Sequence, residues 1–197
     1  IIKTLLSQDD LVDNDVYVQC VLESIKCHYS SVTMYFQSLV QMNDNYNNKI
    51  YKESIKYFNF SMFPTNVDQY FFYNFCKYDY YDVVDVLLKN EICNVNLKIK
   101  SKKKRGSYNQ YKSLFKTVIN RKNFNLLNLL LRQKGVIINR NDFGNVKTLT
   151  ELIIYPETAS IDEYTFHHCI NLERIYLNCS INVIKAGTFC DCKSLTE

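Results

Sequence analysis

Apolar positions follow two different periods along this chain. Toward the C-terminus, Leu149, Leu152, Ile154, Ile161, Phe166, Cys169 and Leu172 recur 23 residues later as Leu172, Ile175, Leu177, Ile184, Phe189, Cys192 and Leu195. All seven positions stay apolar at fixed spacing. The pattern reads L-x-x-L-x-I, a linker, then F-x-x-C-x-x-L. Alternation at the end of the first part predicts short strands near 151–155 and 174–178. A unit of this size cannot bury its own apolar face, so stacking of units must supply the core.

Upstream, a longer and looser period replaces it. Phe72, Phe75, Cys76, Val83, Val84, Leu87, Leu88, Val95 and Asn96 recur 43 residues on as Phe115, Val118, Ile119, Leu126, Leu127, Leu130, Leu131, Ile138 and Asn139. The i, i+3, i+4 spacing within each set predicts two short helices and an extended tail, placing helix pairs over 66–96 and 108–139. A degenerate third copy starts at Val21, with Ser24, Ile25, Val32 and Phe36. Residues 10–64 are predicted helical, broken at Asn43–Asn48 and ending near Pro64. Residues 140–147, with Asn141, Asp142 and Gly144, are predicted to be a turn-rich junction.

The C-terminal segments LTELIIYPETASIDEYTFHHCINL and LERIYLNCSINVIKAGTFCDCKSL resemble the 23-residue leucine-rich repeat of BspA-like surface antigens. They depart from that family's small residue before the Phe, since Thr165 and Thr188 stand there. The resemblance implies a curved solenoid whose strand-lined face binds proteins. DYYDVVDVLLKNEICNVN and KNFNLLNLLLRQKGVIIN look like the second helix and following loop of an ankyrin repeat. The threonine-proline helix start is missing, and Asp79 and Lys122 stand for the turn glycine. Ankyrin-like units joined to BspA-like repeats resemble an arrangement of protist, trichomonad-type, repeat proteins. The fold class expected is therefore an α+β repeat solenoid: degenerate ankyrin-like helix pairs over 1–145, then a short leucine-rich repeat stack over 146–197. The pattern stops as a further repeat would start, which suggests a truncated chain.

Charge changes this picture at one place only. The 197 residues carry a formal net charge of +4, but Lys98, Lys100, Lys102, Lys103, Lys104 and Arg105 supply six positive charges within the stretch 97–107. A nucleic-acid-binding domain spreads its charge over a face. A cluster in one insertion loop suits a solvated loop, or a nuclear-import signal or acidic-partner patch at Lys102, Lys103, Lys104 and Arg105. No apolar run approaches the ~18–20 residues that span a bilayer. The eight cysteines include no CxxC pair and read as mostly buried thiols of a reducing compartment.

Side-chain alternation supplies the candidate site. If Leu152, Ile154, Ile175 and Leu177 face the core, Glu151, Ile153, Tyr155, Arg174 and Tyr176 face outward. Stacking sets Glu151 beside Arg174, Ile153 beside Tyr176 and Tyr155 beside Asn178. Tyr and Arg suit protein contacts, although Tyr and Ile also simply favour strands. The tyrosines at 70, 73, 78, 80 and 81 suit packing against the next helix pair. His167 over Cys190 and Cys169 over Cys192 bring potential Zn²⁺ ligands near one another, but Cys169 and Cys192 occupy core positions. A Cys169–Cys192 disulfide is geometrically conceivable. No phosphate loop, G-x-S-x-G or metalloprotease motif occurs. The reading is a non-catalytic protein-interaction scaffold, with a cell-surface adhesin as the alternative. It needs no cofactor, metal or small-molecule substrate, nucleic acid is disfavoured as a partner, and its place is the cytoplasm before the nucleus.

Overall fold

The computed structural model describes residues 13–59, 61, 63, 66–97, 99–100, 111–181 and 183–196. The chain forms two compact units, Ile1–Asn66 and Val67–Glu197. In the first, helices α1 (Asn14–Lys26), α2 (Ser30–Leu39) and α3 (Asp44–Lys56) bury Val18, Val21, Ile25, Val40 and Ile50 together. A polar bond sits within this unit: the buried Ser24 and Thr33 hydroxyls lie 2.8 Å apart. The expected break at Asn43–Asn48 is instead the start of α3. The Asn43 side chain accepts from the Tyr46 amide at 2.9 Å, and Asp44 lies in the first turn, where the helix dipole favours an acid. The polar run expected to break the helix is thus a helix N-terminus, and the chain breaks just before it.

The second unit opens with the two expected helix pairs, α4 (Gln69–Lys77) with α5 (Tyr81–Lys89) and α6 (Leu114–Asn120) with α7 (Phe124–Leu131). Asp68, Ser113 and Asn123 each cap a helix by accepting a backbone N–H. Asp79 (φ +65°) and Lys122 (φ +58°), 43 residues apart, take the left-handed conformation in the two equivalent turns. Glycine enters that conformation without steric cost, so its replacement here is tolerated rather than favoured. The Asn123 amide bonds to Asp79 and ties the turns together. Between the pairs, β1 (Ile99–Lys100) runs antiparallel to β2 (Tyr111–Lys112), so short strands flank the expected loop. The basic run Lys102–Arg105 lies outside the described residues.

The C-terminal stretch holds β3 (Val136–Ile138), helix α8 (Arg140–Phe143), β4 (Glu151–Ile154), β5 (Thr158–Ile161) and β6 (Arg174–Leu177). β4 pairs in parallel with β6, and β3 with β5, as separate open two-stranded sheets. Residues 140–143 are helical rather than turn. The Asn139 amide donates to Asp142 at 2.6 Å, closing a capping box that supports this single turn. Four phenylalanines form a ladder: Phe115–Phe143, Phe143–Phe166 and Phe166–Phe189, with ring centroids 6.0, 5.1 and 5.4 Å apart. The ladder runs from α6 through Phe143 to the turns of the strand repeats.

The 23-residue register is written into the backbone as well. Asn145, His168 and Asp191 all have φ near +60°, as do Tyr164 and Gly187. The amides of Asn145, Tyr164, Phe166 and His168 donate to carbonyls 22 residues ahead, at 2.8–3.2 Å. The Thr165 and Thr188 hydroxyls each donate 2.7 Å to the carbonyl three residues back. Both threonines are buried, so their hydroxyls are satisfied within the turn. The described residues therefore form a repeat protein of helices and a few short strands.

Candidate protein-binding face

The pairing of β4 with β6 sets Glu151 opposite Arg174, Leu152 opposite Ile175, Ile153 opposite Tyr176 and Ile154 opposite Leu177. The Arg174 Nε lies 3.4 Å from the Glu151 carboxylate, with both side chains about half exposed. Such a pair fixes orientation more than it stabilises, at ~0–1 kcal/mol. Ile153 is half-buried and Tyr176 is 41% exposed. Tyr155 is half-buried, and the Arg132 guanidinium lies over its ring, 4.9 Å from the centroid.

Inward packing follows expectation in one repeat and departs from it in the next. Leu152 and Ile154 are buried, but Ile175 is half-buried and Leu177 is 37% exposed. Ile161 is 8% exposed against 60% for its equivalent Ile184. A repeat of this kind buries its apolar positions only where a neighbour stacks on each side. Among the described residues, β6 has a strand neighbour on one side alone.

The cysteine–histidine region is built for packing. The Cys169 thiol donates to the Phe143 carbonyl at 3.2 Å, and the Cys192 thiol to the Phe166 carbonyl at 2.9 Å. Each bond joins one repeat to the one before it. Burial pushes the Cys169 thiol up to about 11, which disfavours the thiolate that nucleophilic or metal chemistry requires. All eight cysteines are free thiols. His167 bonds to the Tyr164 carbonyl and lies 3.2 Å from the Asn145 amide, while His168 pairs with Asp191 at 2.9 Å. A Cβ on Gly144 would come within 2.2 Å of the His167 ring, so the ring's seat requires glycine. Among the described residues no group of three or more His, Cys, Asp or Glu is placed to hold a metal.

The tyrosine-rich stretch mostly serves packing. The Tyr73 hydroxyl meets Thr117 of α6 at 2.8 Å, and Arg121 lies over the Tyr78 ring at 5.3 Å. Tyr80 packs edge-on against Phe75. Tyr81 is exposed and, with Asn125, Asn128, Leu129 and Arg132, lines an open depression of about 320 Å³.

Asn128 and Arg132 are residues that reasoning from two repeats overlooks. They stand 23 residues before Glu151 and Tyr155. The signal was present in the spacing: Leu126, Leu129, Leu131, Ile138, Phe143, Val146 and Leu149 fill all seven apolar positions one period earlier. The 43-residue period uses two of the same leucines, Leu126 and Leu131, for a helix and masks it.

A family model described as the BspA type leucine rich repeat region (6 copies) matches residues 112–197. The match supports the leucine-rich repeat part and reaches back through α6 and α7. Neither the curated proteins nor the solved structures compared with the chain contain a match. Among the described residues, no helix is long and apolar enough to cross a membrane.

Proposed function

We propose that this chain is a non-catalytic protein-interaction module whose partner lies against the outward side chains of β4 and β6. The observation that carries this reading is the in-register parallel pairing of the two strands, which holds Glu151, Ile153, Arg174 and Tyr176 in fixed columns. A face preformed in this way loses little ordering entropy on binding. Aromatic and Arg side chains are the types that dominate binding hot spots. The likeness to BspA-type leucine-rich repeats supports protein binding over chemistry. In this reading the helix pairs are ankyrin-like and extend the repeats into a solenoid. The left-handed turns at Asp79 and Lys122 and the short antiparallel β1–β2 pair between the helix pairs support it. The site of action is inside the cell.

Tyr176→Ala tests the face. It should weaken binding to a peptide or protein ligand about tenfold or more while lowering the melting temperature only slightly, because the side chain is not core. Ile175→Ala, beside it, should show the reverse balance. Unchanged affinity of Tyr176→Ala at an intact fold would move the site elsewhere. A second reading, a cell-surface adhesin, rests on the BspA-type match itself. Biotinylation of intact cells expressing the full-length gene separates the two, since only the adhesin is labelled.

A further inference from the structure

The geometry points to a carboxylate-recognition subsite at Arg132, which receives an Asp or Glu side chain of an extended peptide laid over α7 and the strand face. The inference rests on the proposed protein-binding face and extends it toward α7. Arg132 caps the C-terminus of α7 and is exposed, with its guanidinium carbon over the Tyr155 ring, 4.9 Å from the centroid. A guanidinium in cation–π contact with a ring keeps N–H donors for other partners, and its fork of donors matches a carboxylate bidentately. Two other exposed arginines of the C-terminal stretch already have acids: Arg174 pairs with Glu151 and Arg140 with Glu163. No described carboxylate pairs with Arg132.

The surroundings fit a peptide. The depression beside Arg132 is lined by Tyr81, Asn125, Asn128 and Leu129, with no acidic side chain among them. Asn125 and Asn128 stand three apart on one helix, as neighbours on its surface. An Asn amide can donate to a peptide carbonyl and accept from a peptide N–H. Leu129 and Tyr81 add apolar contact. Arg132 and Asn128 also continue the 23-residue spacing of Tyr155 and Glu151, and the stacking on Tyr155 joins the depression to the strand repeats. A single uncompensated cation among amides and a phenol favours one acidic side chain. A nucleic acid strand would call for a row of cations and aromatic platforms.

Selection from a displayed random-peptide library against the intact chain, followed by fluorescence anisotropy with the enriched peptides, tests this. The expected result is a fixed Asp or Glu in those peptides. Arg132→Ala should weaken them about tenfold or more, with a melting temperature within a few degrees of the parent. Arg132→Lys should recover only part of the loss, because a lysine keeps the charge without the stacked fork. Arg132→Glu, put through the same selection, should exchange the acidic preference for Lys or Arg. Enriched peptides without a fixed acid, or with affinity unchanged in Arg132→Ala, would overturn the subsite. If those peptides still weaken in Tyr176→Ala, the face itself stands. Peptides indifferent to both substitutions, or no enrichment at all, would overturn the subsite and the face together.

Discussion

The helix α7 and the strand β4 occupy equivalent places in the same seven-position apolar pattern, yet one is a helix and the other a strand. Leu126, Leu129 and Leu131 stand where Leu149, Leu152 and Ile154 stand one period later. All but Leu129 are buried. The difference lies between the anchors. α7 reads FNLLNLLL, with leucines, which carry no branch at Cβ, at 127 and 130 between the anchors and Asn123 capping the start. β4 reads ELII between Thr150 and Tyr155, with β-branched and aromatic residues at those places. Leucine favours helix, and Ile, Thr and Tyr favour a pleated surface. The apolar register fixes where the chain must touch the core. The residues between anchors decide the backbone that reaches it.

After these elements the two stretches converge. Ile138 pairs with Ile161, Phe143 packs against Phe166, and Asn145 and His168 share the left-handed conformation. The conserved part of the repeat is therefore the phenylalanine turn, with more latitude in the first segment. The largest effect should come from breaking that turn. Phe166 is fully buried between two ladder neighbours, so Phe166→Ala should cost about 3–5 kcal/mol by chemical denaturation. Phe189→Ala, at a half-buried rung, should cost clearly less. Equal losses would show that the ladder does not order the repeats as described.

A smaller effect is expected at the start of α7. Asn123 caps α7 through the Leu126 amide at 3.0 Å and bonds to Asp79. Asn123→Ala should cost about 1 kcal/mol and reduce helicity by circular dichroism, leaving the strand repeats intact. Asp142 gives the smallest effect. It takes the place of Thr165 and Thr188, and burial raises its carboxyl above the ordinary range, with bonds to Ser113 and Asn139 opposing that shift. The folded state then holds the proton more tightly than the unfolded one. Stability from this group is present at low pH and declines as pH rises from the ordinary carboxylate range through the raised value. Asp142→Asn should flatten that part of the stability–pH curve, while an unchanged curve would assign the dependence to other groups.

Much of this was legible in the sequence, and the exceptions have physical causes. The strands at 151–154 and 174–177, their register and the four helices of the two pairs follow from apolar spacing, because burial acts on side chains at fixed geometric periods. Asn43–Asn48 reads as a break because Asn and Asp favour both turns and helix N-termini. Exposure of Leu177 and Ile184 is invisible in the pattern, since the same spacing is buried or bare according to what stacks beside it. Arg132 was hidden because it follows a helix and carries no apolar signal. Its contact with Tyr155 exists only once the two periods are superposed in space.

If the helical copy and the strand copies are one stack joined through Phe143, their backbones open together. Native-state hydrogen exchange followed by NMR tests it directly. The interior amides of α7 and those bonded across the repeats at Phe166 and His168 should open with a common free energy, and Phe143→Ala should lower protection in both together. Protection lost on one side of residue 145 only, with the other unchanged, would contradict it and make the helical and strand regions separate bodies.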